Sequence, residues 1–173
     1  MKKTTFVFAL IFFSFTGMAQ RIALSGSASI DPQKKLYKVQ KSEISSLVSK
    51  RFGKTKFLAK SILDNADRVY MVDDMVVIVN SASMPRTQGF LKGRKLMFDD
   101  VGLKLSNYSS KIETVSGKNV FVINEISEGL KICRFTTVNS SEDFVVIGFI
   151  QYNPGNEIKA RSVLEDIIKG LNY

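Results

Sequence analysis

The chain has 173 residues and a formal net charge of +9, from 25 lysine and arginine residues against 16 aspartate and glutamate residues. It contains no histidine and a single cysteine, Cys133. A Ser-His-Asp triad, a Cys-His dyad, a zinc site with histidine ligands and an internal disulfide are therefore excluded. We expect Cys133 to be a buried and inert thiol.

The first nineteen residues have the pattern of a signal peptide. Lys2 and Lys3 precede an apolar run over residues 6–15, and Gly17 and Ala19 are small residues at the positions that a signal peptidase recognises. The apolar run has about half of the ~20 residues that a membrane-spanning helix needs. We therefore predict cleavage after Ala19 and a soluble, exported protein, either periplasmic or secreted.

A small, polar segment follows the cleavage site. Residues 20–33 include a serine- and glycine-rich stretch over 25–29 and the pair Asp31 and Pro32. Such a composition offers little to bury, which predicts a flexible leader. We expect residues 34–173 to form a single globular domain.

The excess of positive charge is concentrated in one stretch. Residues 34–60 contain nine basic residues and one acid, Glu43. Ile44, Leu47, Val48 and Phe52 have helical spacing, which predicts a helix over residues 42–52, and a second helix is predicted over residues 56–66.

The basic side chains near the junction of these helices form our first candidate contact surface. It comprises Lys50, Arg51, Lys54, Lys56 and Lys60. One interpretation is a docking surface for an acidic partner, and the other is a solvated surface that keeps the domain soluble.

A β-hairpin is predicted over residues 68–80, because two apolar runs flank Asp73 and Asp74. The next segment, residues 81–95, contains Pro85, Gly89 and several cations, and we predict a long exposed loop. Its Arg86 and Arg94 are our second candidate contact region. Residues 96–112 fit either a helical stripe or strand alternation, and we favour a short helix that leads into a strand near residues 112–115.

The remainder of the chain predicts three consecutive strands and a closing helix. The strands cover residues 120–126, 130–138 and 144–152, and the helix places Val163, Leu164, Ile167, Ile168 and Leu171 on one face. Residues 144–150 are apolar at nearly every position, which is typical of a strand covered on both faces. The expected fold is therefore α+β, with a central, mainly antiparallel sheet and helices on both faces.

The strand meander, the apolar central strand and a final helix ending Ile167-Ile168-Lys169-Gly170-Leu171 resemble the PsbP/Mog-type α/β/α sandwich, as does the Ser-Gly-Lys-Asn turn at residues 116–119. The resemblance covers roughly residues 68–173. Members of that superfamily are mostly non-catalytic and include a photosynthetic extrinsic subunit, a small-GTPase partner, secretion-effector adaptors and envelope proteins. The resemblance therefore implies a protein-contact module and transfers no functional residue.

Paired carboxylates occur at Asp73/Asp74 and at Asp99/Asp100. Neighbouring side chains on a strand or helix point apart, so turn and helix-start roles explain them better than a metal or acid–base site. The glycines fit neither a dinucleotide-binding nor a P-loop pattern. We predict no catalytic residues, no metal and no cofactor.

Together these patterns favour an exported, non-catalytic and monomeric binding module that contacts an acidic protein partner. Its role would be that of an inhibitor or immunity-type protein, or of an accessory subunit of an envelope assembly. The alternative is a peripheral protein that binds anionic lipid or polysaccharide through the same cations. A hydrolase with a Ser–Lys site is a third hypothesis. Export argues against nucleic acid as the partner.

Overall fold

The computed structural model describes residues 21–26, 28–40, 42–44, 46, 68–127 and 129–173. The strands are β1 (Ile22–Ala23), β2 (Ser29–Ile30), β3 (Tyr37–Lys38), β4 (Val69–Val72), β5 (Met75–Ser83), β6 (Tyr108–Val115), β7 (Lys118–Ser127), β8 (Leu130–Val138), β9 (Phe144–Tyr152) and β10 (Leu171–Asn172). Two helices have both ends within the described residues, α1 (Phe90–Gly102) and α2 (Glu157–Gly170).

The large sheet has seven strands in the order β3-β4-β5-β9-β8-β7-β6, and neighbouring strands pair antiparallel. Helix α2 packs on one face, where Leu164 shares a core with Val122. Helix α1 covers part of the other face, where Leu91 packs with Phe121 and Ile123. The predicted α+β fold, with an antiparallel sheet and helices on both faces, is confirmed.

Two strands are covered on both faces, as their continuous apolar sequences predicted. Val77 and Val79 of β5 belong to the core under α2, and Val76 and Ile78 belong to a core on the opposite face. Strand β9 is the middle one of the seven. Val146 and Ile150 of this strand belong to the core under α2, and Phe149 packs against the core on the opposite face, so its sequence does not alternate between apolar and polar residues.

The tight turns lie where the sequence placed them. Asp73 adopts a positive φ of 52° between β4 and β5, which confirms the predicted hairpin. Ser116 and Gly117 have φ values of 48° and 78° in the two-residue turn between β6 and β7, as two-residue hairpin turns require. Strands β8 and β9 have the predicted bounds.

The loop predicted over residues 81–95 is wrong at both ends. Strand β5 continues to Ser83 because its end pairs with β9, with Ser83 opposite Phe144. Helix α1 begins at Phe90, and the carboxylate of Glu142 accepts a hydrogen bond from the Gly89 N–H at 2.7 Å. An acid at a helix N-terminus stabilises the helix, but this one comes from a distant turn that local sequence does not reveal.

The ambiguous segment over residues 96–112 contains the end of α1 and the start of β6. The helix ends at Gly102, and β6 begins at Tyr108, four residues before the predicted strand. A side chain at position 102 would overlap the ring of Tyr108. The glycine that weakened the helix prediction is therefore required by close packing.

The flexible leader predicted over residues 20–33 is replaced, in its described part, by two short strands. Strands β1 and β2 form a small sheet with β10, and Ile22 and Ile30 are buried. The Asp31 N–H donates to the Gly170 carbonyl at 2.8 Å, and the carboxylate of Asp166 accepts the Gln33 and Lys34 N–H groups. The segment has few apolar residues, but Ile22 and Ile30 belong to the main core.

The first predicted basic helix is only partly described. Residues 42–44 and 46 are helical, and Ile44 is fully buried. The rest of that helix, the whole of the second helix over residues 56–66 and the predicted signal peptide lie outside the described residues.

Candidate functional site

The candidate contact residues fall into three groups in the structure. Five of them lie outside the described residues and stay predictions: Lys50, Arg51, Lys54, Lys56 and Lys60. Arg86 lies in the connection between β5 and α1, and Arg94 lies on α1 itself. The two arginines have different surroundings.

Arg86 is exposed, and the connection that carries it is held against the turn between β8 and β9. The Met84 N–H donates to the Asp143 carbonyl at 2.8 Å, and the Thr87 N–H donates to the Glu142 carbonyl at 3.1 Å. Hydrogen bonds from Asn139 and Ser141, and to a smaller extent the charge of Arg86, keep the pKa of Asp143 below its usual value. Arg86 thus has a carboxylate of its own chain nearby.

Arg94 is half-buried on the side of α1 that faces the sheet. Its Nε donates to Thr136 Oγ1 at 3.0 Å, and its guanidinium carbon lies 5.0 Å from the centroid of the Phe98 ring. It borders a cavity of about 60 Å³, whose floor includes Phe149. Two neutral contacts therefore fix the direction of this guanidinium group.

Within the described part of the chain, no carboxylate forms an ion pair with Arg94. Burial first, and the charge of nearby Arg134 second, lower the pKa of Arg94 below its ordinary value. Arg134 lines the same cavity but is bonded to Glu125 at 2.7 Å through both Nε and Nη2. Among the described residues, Arg94 is therefore the arginine of this pair whose charge is not compensated by a bonded carboxylate.

A second feature of α1 is an apolar outer surface that the sequence interpretation missed. We name it the α1 patch, and it consists of Leu96, Met97 and Val101 on the helix and of Leu103 and Leu105 just beyond its end, which are 73%, 59%, 64%, 69% and 58% exposed. The prediction of a loop over residues 81–95 divided this helix in two. Counting Leu96 and Met97 together with Leu91 would have shown apolar residues on two sides of one helix.

The other face of the sheet has an open cleft of about 520 Å³ beside α2. Its cations are bonded to carboxylates of the same chain: Arg161 to Glu113 and Glu165, Lys131 to Glu157, and Lys111 to Glu113. Burial raises the pKa of the Cys133 thiol to about 12, so the thiolate that a nucleophile needs is scarce at neutral pH.

One hydrogen bond between a lysine and a serine side chain among the described residues bears on the Ser–Lys hypothesis. Lys34 Nζ donates to Ser162 Oγ at 2.9 Å, and the contact is exposed to solvent. A lysine acts as a base when it is desolvated, and these surroundings do not desolvate it. No group of three or more acidic or cysteine side chains that could hold a metal ion is present among the described residues. Among the same residues, no helix has the length and apolar character needed to cross a bilayer.

Comparison with known proteins gives likenesses of fold. No protein-family model matches the chain, and no curated protein matches it. Similar solved structures include LpqN of Mycobacterium tuberculosis, described as involved in cell envelope biogenesis, with a TM-score of 0.40, 11% identity, and coverage of 57% of this chain and 62% of LpqN. PA94 of Pseudomonas aeruginosa, of unknown function, has the same TM-score, identity and coverage of this chain, and 72% of its own length is covered.

The cyanobacterial PsbP of Synechocystis is also similar in fold, with a TM-score of 0.38, 8% identity, and coverage of 60% of this chain and 72% of that one. A PsbP protein is thus among the solved structures that this chain resembles, as the sequence predicted. At this level of similarity, no residue role or activity is carried over.

Proposed function

We propose that this protein is an exported, non-catalytic binding module that holds an acidic segment of a protein partner, with Arg94 as the central contact. The observation that carries the proposal is the half-buried guanidinium of Arg94, which has no carboxylate partner within the described residues. Its role would be that of an inhibitor or immunity-type protein, or of an accessory subunit of an envelope assembly.

Burial of a cation without a counter-ion costs free energy, and Arg134 beside it adds repulsion. A carboxylate supplied by a partner would relieve both costs at once. The planar guanidinium offers several N–H donors in a fixed fork, and the Thr136 and Phe98 contacts already orient it. The site therefore needs little rearrangement to accept a carboxylate.

The basic stretch over residues 34–60 supports the proposal through long-range attraction. A net positive charge on a protein accelerates its encounter with an acidic partner, even where individual lysines add little affinity. Three of its lysines are in the described part, and two of these have contacts within the chain: Lys34 with Ser162, and Lys35 with the ring of Tyr37. The five lysine and arginine residues over positions 50–60 stay predicted contacts.

The test is an affinity pull-down from native envelope extract, with the exported chain as bait. Wild type is compared with Arg94→Gln and with Lys169→Gln, a matched loss of one exposed cation on α2. A third bait carries glutamine at Lys50, Arg51, Lys54, Lys56 and Lys60. We expect wild type and Lys169→Gln to retain one protein that Arg94→Gln loses. With that protein purified, Arg94→Gln should weaken binding by about tenfold or more.

Equal recovery by wild type and Arg94→Gln would overturn the role of Arg94. Loss only with the five-fold variant would move the contact to residues 50–60. If no protein is retained while wild type binds vesicles of phosphatidylcholine and phosphatidylglycerol, the partner is an anionic lipid surface and the proposal fails.

A further inference from the structure

The α1 patch concentrates exposed apolar surface in one place. Nine large hydrophobic side chains are exposed in the described part of the chain, and five of them lie between Leu96 and Leu105. Single exposed apolar residues are common on protein surfaces, but a contiguous group marks a contact site. The patch begins on the same helix as Arg94.

Gly93 is the second unusual feature of this surface. It lies inside α1 and is exposed, and a side chain built there would meet no atom of the described residues within 4 Å. Its φ lies outside the left-handed region that favours glycine. Glycine inside a helix costs stability relative to alanine, and here no contact with another described residue requires it.

Gly93 and the three patch residues within the helix, Leu96, Met97 and Val101, lie on one side of α1. Positions 93, 96, 97, 100 and 101 are spaced i, i+3, i+4, i+7 and i+8, which places them side by side along a helix surface. Gly93 is then a notch beside the large side chains of Leu96 and Met97. Such a surface accepts the side-chain ridge of a second helix and lets the two backbones approach closely.

From this geometry we infer that the partner contacts α1 with an amphipathic α-helix, whose apolar stripe covers the α1 patch and whose backbone passes over Gly93. The inference rests on the proposed function, because the same helix would present its carboxylate to Arg94. The charge of Arg94 alone indicates only that the partner is acidic, whereas the α1 patch and Gly93 indicate that the contacting segment is an amphipathic helix.

The charges around the patch fit an acidic helix. Lys92 and Lys104 are exposed at its two ends, and Arg94 lies on the flank. Lys95 is already bonded to Asp99. A helix with carboxylates on both sides of its apolar stripe would complement these three cations.

Asp100 favours a protein helix over a lipid bilayer as the partner that covers the α1 patch. Its exposed carboxylate lies on the same outer side as Leu96 and Met97. A helix resting on a membrane would press this charge into apolar lipid, at a cost that a polar group of a protein partner avoids. A bilayer also gains nothing from the notch at Gly93.

The test uses the protein recovered in the pull-down, purified, and measures its affinity for four variants beside their thermal unfolding. Gly93→Ala should raise the unfolding temperature and yet weaken binding severalfold, because the new methyl group fills the notch. A double variant, Leu96→Ser with Met97→Ser, should weaken binding by about tenfold or more, with little change in stability. Ile158→Ser removes an exposed apolar side chain on α2 and should leave affinity unchanged.

Arg94→Gln separates the two proposals. If it weakens binding while Gly93→Ala and the double variant do not, the proposed function stands and the helix contact is overturned. If none of the variants weakens binding, or if no protein is recovered, both are overturned. Vesicle binding or self-association of wild type that the double variant abolishes would assign the patch to lipid or to a second copy, and would overturn the inference.

Discussion

Helices α1 and α2 cover opposite faces of one sheet, and they differ in their outer surfaces. Helix α2 buries Val163, Leu164 and Ile167 and exposes one large apolar side chain, Ile158. Helix α1 buries Leu91 and carries the exposed Leu96, Met97 and Val101 of the α1 patch.

The charges differ in the same way. Arg161 on α2 is bonded to Glu113 and Glu165, whereas Arg94 on α1 has no bonded carboxylate among the described residues. Both helices stabilise the sheet by burying an inner stripe. The outer surface of α2 exposes one large apolar side chain, whereas that of α1 exposes three beside an arginine that has no bonded carboxylate among the described residues.

Leucine-to-alanine changes on the two helices should give the largest difference in the free energy of unfolding. Leu164→Ala removes a fully buried side chain from the core under α2 and should lower the free energy of unfolding by about 2–5 kcal/mol. Leu96→Ala removes an exposed side chain and should change it by no more than about 0.5 kcal/mol. Urea denaturation of both variants measures the contrast, and a comparable loss for Leu96→Ala would show that the α1 patch packs within the chain.

Arginine-to-glutamine changes on the two helices should give a smaller difference in stability. Burial alone would raise the pKa of Glu113, but the bonds from Arg161 and Lys111 hold it below its ordinary value. Arg161→Gln should therefore raise that pKa and cost about 1 kcal/mol of stability, a modest figure because Arg161 is partly exposed and screened by solvent.

Arg94→Gln is the matched change on α1. It loses the Thr136 and Phe98 contacts but also relieves the burial of an unpaired charge beside Arg134. We expect a change in stability within about 0.5 kcal/mol. A loss larger than that of Arg161→Gln, measured by denaturation under the same conditions, would mean that Arg94 is a structural residue and would weaken the proposed function.

The smallest effect concerns the ion pair of α2 with the sheet. The hydrogen bond from Lys131, followed by backbone N–H groups at the start of α2, lowers the pKa of Glu157 to about 2. Because this folded-state pKa lies below the unfolded value of about 4.3, the ion pair contributes fully above that value and is lost as pH falls towards 2. In an NMR titration, Lys131→Gln should move the midpoint of Glu157 up towards about 4.3 and leave that of Asp143 unchanged.

Much of the fold could be predicted from the sequence. Strands β8 and β9, the Asp73 hairpin and α2 follow from apolar periodicity and turn residues, which are local properties of the chain. The residues of the candidate site were harder to predict from the sequence. Sequence reasoning selected Arg94 as a cation in a loop, although it lies on a helix over the sheet.

What the sequence alone determined is therefore the antiparallel meander, the doubly covered central strands and the absence of histidine chemistry. Tertiary structure decided that β1 and β2 form strands, through their sheet with β10, and that Gly102 packs closely on Tyr108. It also decided that a carboxylate 53 residues away in the chain accepts a hydrogen bond at the N-terminus of α1. Tertiary structure likewise decided that Arg161 is bonded to carboxylates, whereas Arg94 has none among the described residues. These features depend on partners distant in the chain, and periodicity records which face of an element is buried without recording what it is buried against.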